Sequence, residues 1–581
     1  MSDPGAIRHD LDDLPTRFAM ASNLVQRGDL AGGHNAFAQI VGDYPKCHEA
    51  HYMLGRVCMA QGRMPEAIGH LERAEALDPG HPEYTLRLGQ LALMRNDDAA
   101  AIHWLEKSLA EVEKASVELE ASYAKALGMA RRFEESVEAY RRACAIAPDD
   151  ASLWLALAGI QRHLHDLDGA EASLQKAIAC DPSSALGPAE LALMYERSNR
   201  LADAHQAVEA ALRIDPEYSQ ALAARARLIR REGDREGARR DLERAIASAP
   251  TDEARRQICL TLAQILDELG DYDEAYKRIL ESKKPLEAVP ASLRAQGDAY
   301  EEYIQANRRV ITKELVEGWR PAPPDDRESP VFFVGFPRSG TTLLEQMLAA
   351  HPRFVTTDER MALSKVRAHI RVALEAPTVP ESLGRLDDDQ IRRLRKVYWD
   401  DIDELFGPPK PGVRIVDKHP LNTANLAIVR RLFPDAPVLM SLRDPRDVCV
   451  SCMTNLTRSP MAAQHFRSFE STTNLYAMIL DLWLHFREAL GLRYTETKYE
   501  DVIADTEREV RRVLSFLGEQ WTDEVMQFRE LAQQRAIRSP SYEQVTRKLH
   551  PGAIGRWRNY ERQMGPSLDT LAPFVKALGY D

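Results

Sequence analysis

Along the first half of the chain, apolar residues recur at helical spacing in short amphipathic runs, and a proline interrupts them at a near-constant interval. The prolines are Pro45, Pro79, Pro148, Pro182, Pro216 and Pro250, separated by 34, 69, 34, 34 and 34 residues. A small residue keeps the same beat at Gly33, Ala67, Ala101, Ser136, Ala170, Ala204, Ala238 and Ala275. Each interval holds two amphipathic helices. Gly55 and Gly89, then Ala158, Ala192 and Ala226, occupy one point of the first helix, where a small side chain lets the paired helix come close. The proline closes each unit, because it cannot continue a helix interior.

Near residue 318 the pattern changes. GWRPAPPDDRESP is rich in proline and charge and reads as a linker. Pro330–Phe336 is a continuous apolar run of strand length, Pro337–Thr342 a glycine-containing loop, and LLEQMLAAH returns to helical spacing. Further strands are expected at Arg414–Lys418, Val438–Leu442 and Leu492–Tyr499. The chain thus predicts a multidomain protein: an all-α superhelix of repeats followed by an α/β P-loop-like domain with a central parallel sheet. The expected boundaries are 1–16 for an N-terminal segment, 17–283 for the repeats, 284–329 for a helical connector and linker, and 330–581 for the α/β domain.

A length of 581 residues supports this division, since one hydrophobic core does not grow so large. The net charge of -13 argues against nucleic acid and anionic membrane as general partners. No run approaches the roughly 20 apolar residues that span a bilayer. The first residues, MSDPGAIRHDLDDLP, are acidic without an apolar core, so a cytoplasmic protein is expected. Cys449 and Cys452 have the spacing of a redox or metal pair, but no second pair accompanies them, and they read as buried thiols.

Strand, glycine loop and helix N-terminus together cradle an anion on free backbone N–H groups. The loop here lacks the lysine of a nucleoside-triphosphate loop. Arg338 supplies the cation, Ser339 and Gly340 the turn, and Thr341 and Thr342 the hydroxyls. Phosphoryl transfer from a triphosphate calls for magnesium ligands. A sulfuryl group carries one negative charge, so its transfer requires no metal.

The 34-residue beat resembles the tetratricopeptide family over residues 17–283, as eight units of varying quality. Such units bury their apolar faces only against neighbours and present a concave surface. FVGFPRSGTTLLEQML resembles the 5′-phosphosulfate loop of sulfotransferases that use 3′-phosphoadenylyl sulfate (PAPS), and most of all the tyrosylprotein sulfotransferases. RDPRDVCVS resembles their 3′-phosphate motif, an arginine and a serine eight positions apart, here Arg443 and Ser451.

The resemblance, which covers residues 325–565, implies further roles. Glu359, 21 residues beyond Arg338, matches the catalytic base, with Asp358 beside it. Lys418 matches a strand-end lysine at the sulfuryl group, and Ser541 a serine at the same group. Arg556 and Trp557 stand where the family has Lys-Trp at the 3′-phosphate, and Tyr499 is either a nucleotide-side tyrosine or a core one. His419 is the alternative base, since small-molecule sulfotransferases use a histidine two positions beyond a lysine. The implied donor is PAPS and the implied product adenosine 3′,5′-bisphosphate, without a metal. The expected acceptor is a peptide or protein, tyrosine foremost, held by the repeat array. A carbohydrate, lipid or small phenol acceptor stays open, as do an inactive adaptor built on the repeats and a homo-oligomer.

Overall fold

The computed structural model describes residues 13–164, 166–284, 291–373, 378–407, 412–455, 464–529 and 551–580. Two compact units divide the chain between Glu232 and Gly233. The first is a run of antiparallel helix pairs from Leu14–Gln26 to Ser219–Arg231. The close crossing inferred from Gly55 and Gly89 is present: a Cβ on Gly55 would stand 2.8 Å from Leu71 Cγ, and one on Gly89 would stand 2.5 Å from Leu105 Cγ. Leu71 and Leu105 lie one helical turn past Ala67 and Ala101, so the leucine fills the notch and the alanine supports it. In alternate pairs of this unit an aspartate caps the second helix. Asp29, Asp97 and Asp166 each accept a backbone N–H three residues on, at 2.8, 3.1 and 2.9 Å.

The second unit begins with more helices of the same kind, Arg235–Ala247, Asp252–Leu269 and Tyr272–Lys283. Thr251 caps the middle one through Ala254 N at 3.1 Å, Asp252 and Glu253 complement its N-terminal dipole, and Gly270 ends it in the left-handed region at φ 82°. Leu260, Ala263 and Ile279 of these helices belong to the same buried core as Phe332, Val438 and Trp483 of the α/β part. The helix Ala291–Val310 also joins that core through Tyr300 and Ile304.

Five parallel strands follow in the order β2-β3-β1-β4-β5: β1 Val331–Gly335, β2 Phe354–Thr356, β3 Arg414–Lys418, β4 Pro437–Leu442 and β5 Arg493–Lys498. The strands expected at 330–336, 414–418, 438–442 and 492–499 are all present within a residue or two. β1, β3 and β4 are buried along their whole length; β1 and most of β4 accordingly read as apolar runs, whereas β3 carries Arg414, Asp417 and Lys418. The proline-rich linker is pinned to the domain: Arg395 Nη1 donates to the Pro323 carbonyl at 2.7 Å, and Arg431 Nη1 to that of Arg320 at 3.1 Å. Among the described residues no helix is long and apolar enough to cross a membrane.

Candidate active site

In an open parallel sheet, ligands bind outside the carboxyl ends of the strands, where the connections diverge to opposite sides. Here β1 is flanked by β3 and β4, and the loop after it lies between the ends of both neighbours. That loop is shaped by two left-handed residues, Arg338 at φ 73° and Gly340 at φ 97°. A Cβ at Gly340 would lie 2.8 Å from the Tyr499 ring, so glycine is required both for the angle and for the contact. Ser339 is buried and closes the turn, donating to Phe336 O at 2.7 Å while its own carbonyl accepts from Ser441 Oγ at 2.8 Å. Thr341 and Thr342 open the helix Thr341–Ala350.

On the β4 side, Arg443 leaves the strand end and Ser451 sits on the helix Pro445–Met453. The two sequence motifs meet directly. Arg338 Nε donates to Ser451 Oγ at 3.0 Å, and Arg443 Nη1 donates to the Arg338 carbonyl at 3.2 Å. The Arg443 guanidinium lies 4.8 Å over the Tyr499 ring, and its buried Nε has no hydrogen-bond partner among the described residues. Burial and the nearby Arg443 cation both pull the Arg338 pKa below its ordinary value.

The C-terminal segment closes on this corner. Ala553 O accepts from Arg443 Nη2 at 2.5 Å, and buried Asp447 accepts the N–H groups of Gly555 and Trp557 at 2.6 and 2.8 Å. Trp557 is held between Arg446 and Arg558, whose guanidinium carbons lie 4.1 and 4.9 Å from its ring. Arg556 departs from the expectation. Its guanidinium pairs with Asp267 of the helix Asp252–Leu269 at 2.9 Å, and Asp267 also accepts from Tyr560 Oη at 2.6 Å. The carboxylate offers the guanidinium a fixed anion inside the fold. Ser541 lies outside the described residues.

On the β3 side, Lys418 ends the strand with its side chain completely buried. Its Nζ donates to Glu359 Oε1 at 2.8 Å and lies 2.9 Å from Glu345 Oε2 and 4.0 Å from Asp358 Oδ1. Asp358 and Glu359 both adopt positive φ, 45° and 65°, a conformation that costs a non-glycine residue about 1–2 kcal/mol. Glu359 N donates to the Lys418 carbonyl at 3.0 Å, which fixes this strained pair against β3. Partial burial disfavours the charge of Glu359, but Lys418, with help from His419 and Arg338, outweighs it and holds the carboxyl below its usual range. Glu345 is different: burial pushes it up to about 7 despite Lys418. The ammonium, which burial would deprotonate, is instead raised to about 12 by Glu345 and Glu359. His419 continues the pairing of β3 with β1 through its backbone N–H to Phe333 O at 3.1 Å, and burial pushes its imidazole down to about 4, hence neutral near pH 7.

The sequence reading missed Glu345. Its neighbours Leu343, Leu344, Met347 and Leu348 suggest an amphipathic helix with Glu345 facing water, whereas residues 341–349 are buried all round. A charge in such a helix must be paired. Cys449 and Cys452 are buried free thiols, as expected, and burial pushes Cys452 up to about 12. One group in the repeats has metal-like spacing, with ligand atoms of His34, Cys58 and Glu66 within 4.8 Å of one another. Arg63 already occupies it, 2.8 Å from His34 Nε2 and paired with Glu66.

Residues 330–523 match the sulfotransferase family, and residues 18–82 match the tetratricopeptide repeat. Residues 75–299 match the C-terminal domain of cilia and flagella-associated protein 70. An uncharacterised protein of Aquifex aeolicus is 26% identical over 339 residues, 56% of this chain and 42% of that one. The chain therefore spans less than half the length of this relative. Protein-tyrosine sulfotransferase A of Caenorhabditis elegans is 24% identical over 44% of this chain and 68% of its own. Protein-tyrosine sulfotransferase 1 of Mus musculus is 24% identical over 56% and 85%. Among solved structures, a tetratricopeptide repeat protein from Parabacteroides merdae covers 44% of this chain and 99% of its own at 14% identity, with a TM-score of 0.36. On these matches and the fold described above, the chain joins an array of tetratricopeptide-type helical repeats to an α/β domain that matches the sulfotransferase family over residues 330–523.

Proposed function

We propose that the chain transfers the sulfuryl group of PAPS to an acceptor hydroxyl, foremost a tyrosine of a peptide or protein. The observation that carries the reading is Arg443: a buried guanidinium whose Nε lacks a partner among the described residues, beside Ser451 and Arg338 and a left-handed glycine loop. A buried donor left unpaired is costly unless a ligand satisfies it. A phosphate dianion suits the planar guanidinium. The protein-tyrosine sulfotransferases among the relatives favour tyrosine, and the repeats are the element of the chain suited to holding a peptide or protein.

In this reading PAPS supplies the sulfuryl group, whose bond to the 5′-phosphate oxygen breaks as the acceptor oxygen bonds to sulfur, leaving adenosine 3′,5′-bisphosphate. Glu359 takes the acceptor's proton. Its depressed pKa keeps it ionised at neutral pH, and its exposed edge gives an acceptor access. Lys418 and Arg338 face the charge that develops on the departing oxygen, and Arg443 and Ser451 hold the 3′-phosphate. Ser541 completes the sulfuryl contacts in the same reading. Positioning and preorganised charge do most of the work.

Calorimetric titration with adenosine 3′,5′-bisphosphate tests it. The wild-type chain should bind in the micromolar range or tighter, and an Arg443→Ala/Ser451→Ala variant should lose at least about 100-fold, as expected for two charge-assisted contacts. Folded wild-type protein that binds nothing would remove the reading.

A further inference from the structure

Two carboxylates share the Lys418 ammonium, and they are not equivalent. Glu359 is 40% exposed and belongs to a strained turn, whereas Glu345 is fully buried on the helix that opens at the glycine loop. Lys418 Nζ hydrogen-bonds Glu359 Oε1 at 2.8 Å, whereas Glu345 Oε2 is its ion-pair partner at 2.9 Å with no hydrogen bond among the described residues. A buried ion pair of this kind is weak evidence for stability, because an apolar pair of the same shape serves as well or better. The pair therefore calls for another reason.

The reason lies in what happens to Glu359 during turnover. When Glu359 takes the acceptor's proton it becomes neutral, and its pull on Lys418 fades when charge on the departing oxygen is greatest. A second anion that neither acceptor nor donor reaches keeps the ammonium seated. We propose that Glu345 is a positioning residue that anchors Lys418 from inside the fold, so that the ammonium stays aimed at the reacting oxygens while Glu359 is protonated. This rests on the proposed sulfuryl transfer and names a residue that the transfer needs. The charged groups that face Glu345 are Lys418 at the end of β3 and Asp358 and Glu359 beyond β2; Arg338 and His419 face Glu359 in turn.

The test uses Glu345→Gln in the full chain, which keeps the shape and removes the charge. Transfer from PAPS to a tyrosine-containing peptide should fall about 10- to 100-fold in kcat, the usual effect of losing a supporting partner, with KM for the donor nearly constant. Wild-type kcat should rise with pH through about 7, where Glu345 ionises, and the variant should lack that rise. Added to Lys418→Gln, Glu345→Gln should lower kcat no further, because the two act as one unit. This double variant also replaces the ion pair by two amides, so it serves if the single variant fails to fold. A readout independent of transfer is the 13Cε resonance of Lys418 in lysine-labelled protein, which should titrate at lower pH in Glu345→Gln than in wild type. Unchanged Lys418 titration, or a double variant clearly slower than Lys418→Gln alone, overturns the anchor. If the resonance shifts while the wild-type protein transfers to no acceptor, the anchor stands and the sulfuryl-transfer reading falls.

Discussion

The two corners that flank the loop after β1 solve opposite problems. At the end of β3, Lys418 is surrounded by its own acids, with Glu345 and Glu359 within 2.9 Å. At the end of β4, Arg443 donates, among the described residues, to backbone carbonyls alone and has one buried N–H without a partner there. The first corner is neutralised from within and ready before any ligand arrives. In the proposed reading the second is completed by an anion. A cation that must stay fixed through a reaction is held by the protein, whereas a cation that must recognise a ligand is left open to it. If the proposed transfer holds, preorganised charge at one corner and an open binding group at the other divide the labour that catalysis and binding energy require.

The sharpest way to separate the corners is to neutralise the base. Glu359→Gln should lower kcat by about 10²- to 10⁴-fold, the usual contribution of a positioned base, while adenosine 3′,5′-bisphosphate affinity moves by less than about threefold. Rate and affinity then report on different corners. Full turnover by the variant would hand the role to His419, whose imidazole is neutral near pH 7 and therefore able to accept a proton.

A second comparison uses stability. Lys418→Met leaves Glu345 buried without its cation and should cost about 3 kcal/mol in urea unfolding at pH 8, the range for breaking a buried pair. Arg443→Met removes a cation that makes no salt bridge among the described residues and acts on buried Asp447 only through space, and should change stability by about 1 kcal/mol. The pH dependence has a definite sign. Glu345 titrates at about 7 in the folded chain and near 4.3 when unfolded, so its contribution to stability falls as pH rises through that window. Without Lys418 the folded value rises further and the loss continues above pH 7, so the penalty should be smaller at pH 6 than at pH 8. Equal penalties at both pH values would mean that Glu345 is not charged beside Lys418.

The repeats and the strand-loop-helix units were legible because each rests on local patterning. The 34-residue beat follows from helix pairs that need a small residue at one crossing, and Gly55 against Leu71 bears this out. The strands β1 and β4 were legible because full burial makes them largely apolar runs. The glycine loop and the strand-end arginine stood out because their residue types and spacing are local features of the sequence. What escaped depends on long-range packing. Glu345 looks solvent-facing until the helix is seen covered on every side, and the sharing of one core by Leu260, Ile279 and Phe332 leaves no mark on the repeat pattern. Asp447, which fixes the backbone at Gly555 and Trp557, reads in sequence as one acid in a charged run.

Arg556 gives the finest distinction, because sequence position and geometry point to different duties. By position it would hold the 3′-phosphate; in the fold its guanidinium is 2.9 Å from Asp267, and the same carboxylate takes the Tyr560 hydroxyl. A guanidinium already charge-paired has little to gain from a phosphate unless Asp267 lets go, and a charge-assisted contact is worth about 1.5–3 kcal/mol. Arg556→Ala should therefore weaken adenosine 3′,5′-bisphosphate binding by less than about threefold, roughly 0.7 kcal/mol, far below the effect of removing Arg443. A loss comparable to that of Arg443→Ala would show that Arg556 leaves Asp267 when the nucleotide binds. The double variant Asp267→Asn/Arg556→Ala then decides between contact and support. If Arg556 acts only by fastening the 553–560 segment over Arg443, removing both partners should be no worse for binding than removing Arg556 alone. If it touches the phosphate, Asp267→Asn by itself should tighten binding, because the guanidinium would be freed to reach the ligand.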